Sequence, residues 1–534
     1  MVNCKKRKNM TGTVDNAVEE IKNFFHTLQT SENWFRFGVT FSTQEKYYFL
    51  DTGTGKIFRV NQQVYRVLEC ILKTNNFENL SYLGMTEEEL LLALKEIEKA
   101  VKEEHILQAP PVTGMVYYKE DIENSLDHAM QAVTLEITER CNLRCDYCIY
   151  NENDSDFRQF GSTDISPDTI KTALDFFFAR CGKEFNVGFY GGEPLIRFDL
   201  IKTAVEYAEK LVDGTNKELH FSMTSNMTLM NEEIADYIAS KPTFSVLCSI
   251  DGPQEIHDEH RKTIEGKGSF EKAIAGVRKL VEARKRHKNE QPIIFSAVLT
   301  PPYTREKFEK INAFMAKLEW LPKNSMVEVS YVSYESKKSH YIPINERPEN
   351  KLENEKTNWN QTDPLKSWRI FSKEDWSYEG LLTQNYLTKP LNVIHRRKIS
   401  NEPFKYYTMN GCCIPGARKA FIRTNGDILP CERIGTIAPI GNVFTGFDFK
   451  NIEKNYYEDY IQEAVRYCGE CWAVNICTKC HQDCMDKNGH VDFDYRHANC
   501  EFERNEILLH LKIYHELLEH NPEQIQKLNE IDVT

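Results

Sequence analysis

The chain has 534 residues, of which 41% are hydrophobic and 28% are charged, a composition typical of globular proteins with a sizeable core. The length predicts about three domains, and no apolar run approaches the roughly 18 residues that a membrane span needs. The formal net charge of −13 argues against a general nucleic-acid binder.

The first 34 residues carry little structural signal. They include the basic run Lys5–Lys8, but no hydrophobic segment follows it, so we predict that this is not a signal peptide. We therefore expect a cytoplasmic protein without a membrane partner.

Residues 35–112 have the pattern of a small mixed domain. Strands are predicted at Phe37–Phe41, Tyr47–Leu50 and Ile57–Val60. One helix is predicted to carry Val64–Ile71, a second helix to start at Thr86, and a last strand to follow at His105–Gln108. A few strands and about three helices in this length predict a winged-helix-like module. The alternative is an extension that only packs on the rest of the chain.

Residues 113–332 alternate strand and helix patterns. Strands are predicted at Val133–Ile137, Asn186–Tyr190, Leu219–Thr224, Phe244–Ile250, Ile293–Leu299 and Met326–Val332. Helical crossovers between them predict an α/β fold with a parallel sheet, a partial (β/α)6 TIM-like barrel whose functional residues follow the strands. A polar linker or insertion is predicted at 333–410, a cysteine-rich domain at 411–502 and a C-terminal helix at 503–534.

The first group of cysteines follows the first strand of this barrel. Cys141, Cys145 and Cys148 have the spacing C-x3-C-x2-C, and in a reducing compartment such a group favours metal over disulfides. Three thiolates on one loop can hold three irons of a [4Fe–4S] cube and leave the fourth iron open to a small molecule. A zinc site would want a fourth Cys or His, and this loop contains none.

With an aromatic residue before its last cysteine, this motif resembles the signature of the radical S-adenosylmethionine (SAM) superfamily. The resemblance implies that the open iron binds SAM and that reductive cleavage of SAM gives a 5′-deoxyadenosyl radical, which abstracts a substrate hydrogen. It also implies an electron donor such as flavodoxin or ferredoxin. The protein then positions and shields the chemistry of its cofactors.

Residues at the ends of later strands extend the resemblance. Tyr190–Pro194 is similar to the family's GGE motif, whose glutamate holds the SAM amino group and whose glycines let a ligand approach the backbone. The turn at Thr224–Met227 is similar to a Thr-Asn-Gly turn with Met in place of Gly. For Arg261, a surface salt bridge is as good an interpretation as contact with the SAM carboxylate. The residues expected to bind SAM are Tyr147, Gly191, Gly192, Glu193, Ser225, Asn226, Ser249 and Arg261.

The second group of cysteines resembles the SPASM extension of radical SAM enzymes that modify peptides and proteins. The match runs through Cys477 and then fails, because the next cysteine follows after two residues rather than three. The resemblance implies two auxiliary [4Fe–4S] clusters, hence three clusters in all, with a zinc ribbon as the alternative. The implied ligands are Cys468, Cys471, Cys477 and Cys500 for the outer cluster, and Cys413, Cys431 and either Cys480 or Cys484 for the inner one, with Cys412 as a further candidate.

Glu432 directly follows Cys431. Related sulfatase-maturing enzymes have an Asp here that is proposed to act as a base, so Glu432 is a candidate catalytic base, with a surface glutamate as the alternative.

The whole pattern predicts a radical SAM peptide maturase. A winged-helix-like unit ahead of such an enzyme resembles the recognition element of ribosomal peptide modification systems, which binds a precursor's leader as an added strand. The expected product is a crosslink such as a thioether. The alternatives are a sulfatase-maturating, formylglycine-forming enzyme and, in another class, a non-catalytic metal-binding scaffold.

Overall fold

A computed structural model describes residues 20–27, 38–74, 77–110, 112–117, 119–150, 159–300, 304–331, 381–409, 411–434, 439–469, 471–485 and 491–530. Most of the predicted N-terminal segment and most of the predicted linker at 333–410 lie outside the described residues.

The N-terminal module begins with three strands, β1 (Gly38–Ser42), β2 (Tyr47–Asp51) and β3 (Ile57–Val60). They form an antiparallel sheet with β2 in the centre. Two helices follow, α1 (Gln62–Thr74) and α2 (Glu87–Glu104), and residues 20–27 are also helical. The predicted strands and helices of this module are thus present, apart from the last strand.

The sequence at the two ends of α2 explains where the helix begins and ends. At its start, Thr86 accepts a hydrogen bond from Glu89 N and the Glu89 carboxylate accepts one from Thr86 N, which is the predicted capping box. At its end, His105 and Leu107 both have a φ of 57°. The strand predicted for this segment is therefore wrong. The chain turns here because Leu107 N donates to the buried Asp51 carboxylate at 2.8 Å.

The central domain alternates strands and helices as predicted. Its strands are β4 (Met130–Thr138), β5 (Cys181–Gly191), β6 (Glu218–Ser225), β7 (Phe244–Ser249), β8 (Ile293–Leu299) and β9 (Met326–Tyr331). Its helices are α3 (Lys119–His128), α4 (Pro167–Phe178), α5 (Phe198–Val212), α6 (Glu232–Ala239), α7 (Gln254–His260), α8 (Phe270–His287) and α9 (Arg305–Ala316). The six strands are parallel and adjacent in chain order, which confirms the partial barrel.

The two faces of this sheet differ in chemistry because side chains alternate along each strand. Phe189, Met223 and Phe295 belong to the main hydrophobic core. Neighbouring residues on the same strands, such as Thr224 and Ser296, line a cavity on the other face.

The sheet continues into the cysteine-rich region. Strand β10 (Ala420–Ile422) pairs in parallel with β4. Three short antiparallel strands complete a ten-stranded sheet, namely β11 (Asp427–Leu429), β12 (Gly441–Asn442) and β13 (Gly446–Phe447). The remaining helices are α10 (Leu381–His395), α11 (Phe449–Ile452), α12 (Asp459–Cys468), α13 (Phe493–His520) and α14 (Pro522–Gln526).

Helix α13 is longer than the C-terminal helix that the sequence predicts, and Cys500 therefore lies on this helix. Among the helices that the structure describes, none combines the length and the apolar character that a membrane span requires.

The N-terminal module packs against the C-terminal region. Phe41 and Tyr48 share a hydrophobic core with side chains of α10 and α13. The turn after β2 also reaches the cysteine-rich region, since Thr52 Oγ1 donates to Trp472 O at 2.6 Å and Asn475 Nδ2 donates to Thr52 O at 2.8 Å. Removing the module would therefore expose apolar surface of the C-terminal region.

Candidate active site

The loop that carries Cys141, Cys145 and Cys148 directly follows β4. Its middle is held by the segment after α7, because Arg144 N donates to Lys262 O at 2.7 Å. Cys145 is buried and the other two thiols are half-buried. The three side chains lie close enough for their charges to interact, so the predicted ligands are brought together.

The properties of these thiols fit a cluster of several irons. Burial raises the pKa of Cys141 and Cys145 to about 12, so both keep their protons until a metal displaces them. Among the described residues, no three cysteine Sγ atoms lie within 4.8 Å of one another. Thiolates on one tetrahedral zinc ion would be about 3.8 Å apart. The spacing of the three thiols therefore suits the binding of three different iron atoms of one cluster better than the binding of a single zinc ion.

Gly191 and Gly192 allow a close approach of backbone to backbone. A Cβ on Gly191 would lie 2.3 Å from Thr138 O, and one on Gly192 would lie 2.1 Å from Arg140 O. Gly192 N and Glu193 N donate to these same two carbonyls, each at 2.8 Å. The absence of side chains at the two glycines thus makes room for the backbone that leads into the cysteine loop. The sequence pattern predicts instead that it makes room for a ligand.

Glu193 places a buried carboxylate beside the cysteine loop. Its Oε1 accepts hydrogen bonds from Leu195 N at 3.1 Å and Ser225 Oγ at 2.9 Å, and its Oε2 accepts one from Asn226 N at 2.7 Å. These donors are all neutral, and burial raises the pKa of Glu193 to about 7. A cation in the adjoining cavity would favour the charged carboxylate, so this position fits the amino group of SAM.

The turn after β6 supports both Glu193 and the cysteine loop. Ser225 Oγ is engaged with Glu193, and Asn226 Nδ2 donates to Asn142 Oδ1 at 2.9 Å. Met227 has a φ of 62°, a left-handed conformation that favours glycine. This backbone conformation explains why the similar family turn has Gly at the position of Met227.

Arg261 forms a buried ion pair, so the alternative of a surface salt bridge is wrong. Its Nε and Nη2 lie 2.9 and 3.2 Å from the two oxygens of Asp251, and Tyr147 donates its hydroxyl to the same carboxylate. Burial disfavours the charged carboxylate, but the Arg261 guanidinium outweighs it and holds the pKa of Asp251 below its ordinary value. The guanidinium also lies 5.4 Å from the centre of the Tyr147 ring.

All of these groups meet at one cavity of about 260 Å³ at the carboxyl ends of the barrel strands. The residues predicted to bind SAM all line it, namely Tyr147, Gly191, Gly192, Glu193, Ser225, Asn226, Ser249 and Arg261. Two further lining residues come from the cysteine-rich region and were missed by the sequence analysis, Arg433 and Gln482. The only sequence signal for them is that they lie between candidate cluster ligands.

In the cysteine-rich region, the three thiols of the expected inner cluster lie together. Cys413 and Cys480 are close enough to Cys431 for their charges to interact. Burial raises the pKa of Cys431 to about 12. The neighbouring Cys484 is fully buried, and its thiol lies 3.2 Å from His481 O.

The expected outer ligands are Cys468, Cys471, Cys477 and Cys500, which come from three segments. Cys471 N donates to Cys468 O at 3.0 Å at the end of α12. Thr478, the residue after Cys477, donates its hydroxyl to Glu503 at 2.9 Å. Glu503 lies about one turn beyond Cys500 on α13, so this contact brings the last two segments side by side.

Glu432 lies outside the set of residues that line the cavity. Its Oε2 is 2.8 Å from Lys419 Nζ, and its side chain is 17% exposed. Burial disfavours its charge, but the Lys419 ammonium, helped by the neighbouring Arg433 guanidinium, holds the pKa of Glu432 below its ordinary value. The role of Glu432 as a base stays a prediction, and this ion pair would weaken its basicity.

Comparisons with known proteins indicate the class of protein to which the chain is similar. Residues 135–315 match the family model described as Radical SAM superfamily. The chain is 24% identical over 352 residues to the cysteine-type anaerobic sulfatase-maturating enzyme of Clostridium novyi (strain NT), covering 63% of this chain and 83% of the relative. It is 22% identical over 279 residues to the radical SAM cyclopropyl synthase TigE of Paramaledivibacter caminithermalis, covering 48% of this chain and 54% of that enzyme.

A solved structure, native anSMEcpe with bound AdoMet, shares the fold at a TM-score of 0.51 and 20% identity, covering 75% of this chain and all of that one. With the family match and the cavity geometry, the class of protein is clear. The chain carries a radical SAM domain and is a radical SAM enzyme, whose cofactors are a [4Fe–4S] cluster and SAM.

Proposed function

We propose that this enzyme is a peptide maturase that installs a crosslink, such as a thioether, in a ribosomally made precursor peptide. The observation that supports this proposal most is that three groups of residues from different parts of the chain line one cavity. A cysteine loop, a SAM-binding set and two side chains of a cysteine-rich region all face the same space. A peptide segment in that space would lie between the SAM site and the auxiliary region.

Each cofactor has a matching group of residues. Cys141, Cys145 and Cys148 would hold the first cluster. Glu193 would bind the SAM amino group. Arg261 would bind the SAM carboxylate through its Nη1 atom, because Asp251 contacts only its Nε and Nη2 atoms. When bound, the cluster and SAM supply the 5′-deoxyadenosyl radical that removes a substrate hydrogen. The chain's own residues orient the SAM and exclude water.

The auxiliary clusters are part of this proposal. For the inner one, Cys480 is a better third ligand than Cys484, because Cys480 lies close enough to Cys431 for their charges to interact. Cys413 and Cys431 would be the other ligands, and Cys412 remains a candidate. The outer cluster would use the cysteines at 468, 471, 477 and 500.

The leader of the precursor would add a strand to the N-terminal sheet. Strand β2 is paired on both sides, so only the outer strands β1 and β3 have an edge available. Asp51 N donates to Lys56 O, and Thr43 N donates to Lys46 O. Because bonded pairs alternate along antiparallel strands, the backbone groups of Thr40 on β1 and Arg59 on β3 point away from β2.

These outward groups define a matched pair of variants. Thr40→Pro and Arg59→Pro each remove one outward N–H and leave the bonds to β2 intact. If the leader docks on β1, Thr40→Pro should weaken precursor binding about tenfold and Arg59→Pro serves as the control. If it docks on β3, the two variants exchange these roles. Unchanged affinity in both variants would refute docking by strand addition. Deleting the whole module would be a poorer test, because it uncovers the shared core with α10 and α13.

The product itself is tested by mass spectrometry of a neighbouring cysteine-rich peptide co-expressed anaerobically with the enzyme. A thioether crosslink removes about two hydrogens and keeps the sulfur. A second candidate, formylglycine formation, is favoured by the similarity to the Clostridium novyi enzyme. That reaction on cysteine would remove the sulfur, so one measurement separates the two functions. An unmodified peptide would contradict both.

We further propose a cytoplasmic location and an electron donor of the flavodoxin or ferredoxin type. The donor must reduce the first cluster before SAM can be cleaved. Replacing a chemical reductant with purified flavodoxin and its reductase tests this partner, and the expected result is sustained 5′-deoxyadenosine formation.

A further inference from the structure

Two side chains of the cysteine-rich region face the cavity without a partner of their own. Arg433 lies two residues after Cys431, and Gln482 lies between Cys480 and Cys484. Both line the same space as the SAM-binding residues. Among the contacts of the described residues, neither side chain forms a hydrogen bond or an ion pair.

The charges around the cavity show why Arg433 is distinctive. Besides the thiols, the ionisable carboxylate and guanidinium groups that line it are Glu193, Arg261 and Arg433. Glu193 is held by three neutral donors and is suited to an ammonium group. Arg261 is neutralised by the buried Asp251. Arg433 is exposed, and the carboxylate whose charge it feels is that of Glu432, which already forms an ion pair with Lys419 at 2.8 Å. Within the described part of the chain, Arg433 is therefore the lining cation whose guanidinium has no ion pair of its own.

Resting on the proposed function, we infer that Arg433 binds a carboxylate of the peptide segment that enters the cavity. A guanidinium presents parallel N–H groups that match a carboxylate, and such a pair strengthens when a bound peptide excludes water. Gln482 offers both a donor and an acceptor to the adjacent peptide backbone. The enzyme would therefore select core segments with a carboxylate near the reacting residue.

The carboxylate has two chemical sources, an Asp or Glu side chain or the C-terminus of the peptide. The probe is a set of synthetic octapeptides, each with one cysteine. One series carries Asp at successive distances from the cysteine, a second carries Asn at the same places, and a third has a free rather than an amidated C-terminus. The SAM-loaded holoenzyme is incubated with the pooled peptides, and the retained peptides are quantified by mass spectrometry.

We expect peptides with a carboxylate at one fixed distance to be retained about tenfold more than their Asn or amidated partners. Arg433→Gln should remove this preference, Arg433→Lys should keep part of it and Arg433→Glu should reverse it, so that the Asn or amidated peptides are retained more than their carboxylate partners. Arg286→Gln is the matched control, because Arg286 is on α8 and pairs with Asp236 away from the cavity. It should retain the wild-type preference.

Several results would overturn the inference. Equal retention of Asp, Asn and amidated peptides by the wild-type enzyme would do so, as would a preference that survives Arg433→Gln. A large loss of SAM affinity in Arg433→Gln, measured without peptide, would assign Arg433 to the SAM carboxylate instead. If the wild-type enzyme retains no octapeptide at all, the inference fails, while the proposed function is still decided separately by mass spectrometry of the co-expressed peptide, which carries its own leader.

Discussion

The buried ion pair between Asp251 and Arg261 gives the sharpest test of the site. Asp251→Asn keeps the size of the side chain but removes its charge, so the guanidinium of Arg261 would be buried without a counter-ion. Removing one partner of a buried pair costs about 3–5 kcal/mol. The single amide oxygen of Asn can replace only one of the two acceptors, so either the donors on Oδ2 (Arg261 Nε and the Tyr147 hydroxyl) or the donors on Oδ1 (Arg261 Nη2 and Val298 N) would face an NH2 group.

The cost converts into a measurable shift. For a domain of this size, 1 kcal/mol corresponds to roughly 2–4 °C, so the transition of the barrel should fall by about 6–20 °C in calorimetry of the anaerobically purified protein. The affinity for SAM should fall at least about tenfold, because Arg261 and Tyr147 line the cavity and both lose the group that orients them.

Two controls make the test specific. Asp236→Asn removes the same kind of charge from an exposed pair with Arg286 and should leave the unfolding temperature almost unchanged, because water screens this pair. The double variant Asp251→Asn with Arg261→Met should be destabilised less than the sum of the single variants, because it removes both charges. The reasoning would be refuted if the destabilisation of the double variant equalled the sum of the two single ones. It would also be refuted if the unfolding temperature of Asp251→Asn lay within 2 °C (about 1 kcal/mol) of that of the wild type.

Three further predictions concern the cysteine loop and helix α13. Gly192→Ala should sharply lower the iron content after anaerobic reconstitution, because its Cβ would lie 2.1 Å from Arg140 O and push the cysteine loop away; normal iron content would show that the loop adapts. Cys145→Ala should abolish SAM cleavage through loss of a cluster ligand, and continued 5′-deoxyadenosine formation would contradict that role. Burial lowers the pKa of His510 and His515 to about 4, below about 6.5 in the unfolded chain. Their stabilising contribution is therefore complete above pH 6.5 and falls by about 2 kcal/mol each at pH 5. His515→Gln should lessen the fall of the unfolding temperature between pH 7.5 and pH 5, and an unchanged fall would exclude it as a source.

The parts of the fold that the sequence predicts well are those set by local pattern. The strands of the barrel alternate with helices whose apolar residues recur at helical spacing, and the structure has all six strands in the predicted order. The capping box at Thr86 is another local signal, since its two hydrogen bonds join residues three positions apart. The cysteine spacing at 141–148 is equally local.

The predictions that were wrong, and the features that could not be predicted, depend on contacts between segments that are distant in the chain. The turn at His105 depends on a hydrogen bond to Asp51, more than fifty residues earlier. The partner of Arg261 lies only ten residues away, but whether that pair is buried depends on how α7 packs against β7 and β8. The role of Gly192 could not be inferred either, because the backbone that it accommodates belongs to the loop after β4, about fifty residues earlier in the chain.

The position of Arg433 shows how such long-range contacts create the candidate substrate site. Strand β10 pairs with β4 in a fixed register, with Phe421 opposite Thr134. The hairpin partner β11 then leads into Cys431 and Arg433. Arg433 is therefore connected to the strand that precedes the cysteine loop by the backbone hydrogen bonds of one continuous sheet and by the short segment after β11. A side chain that follows such a strand can select the substrate group next to the reacting atom, because the strand is fixed in register relative to β4, which leads into the cysteine loop.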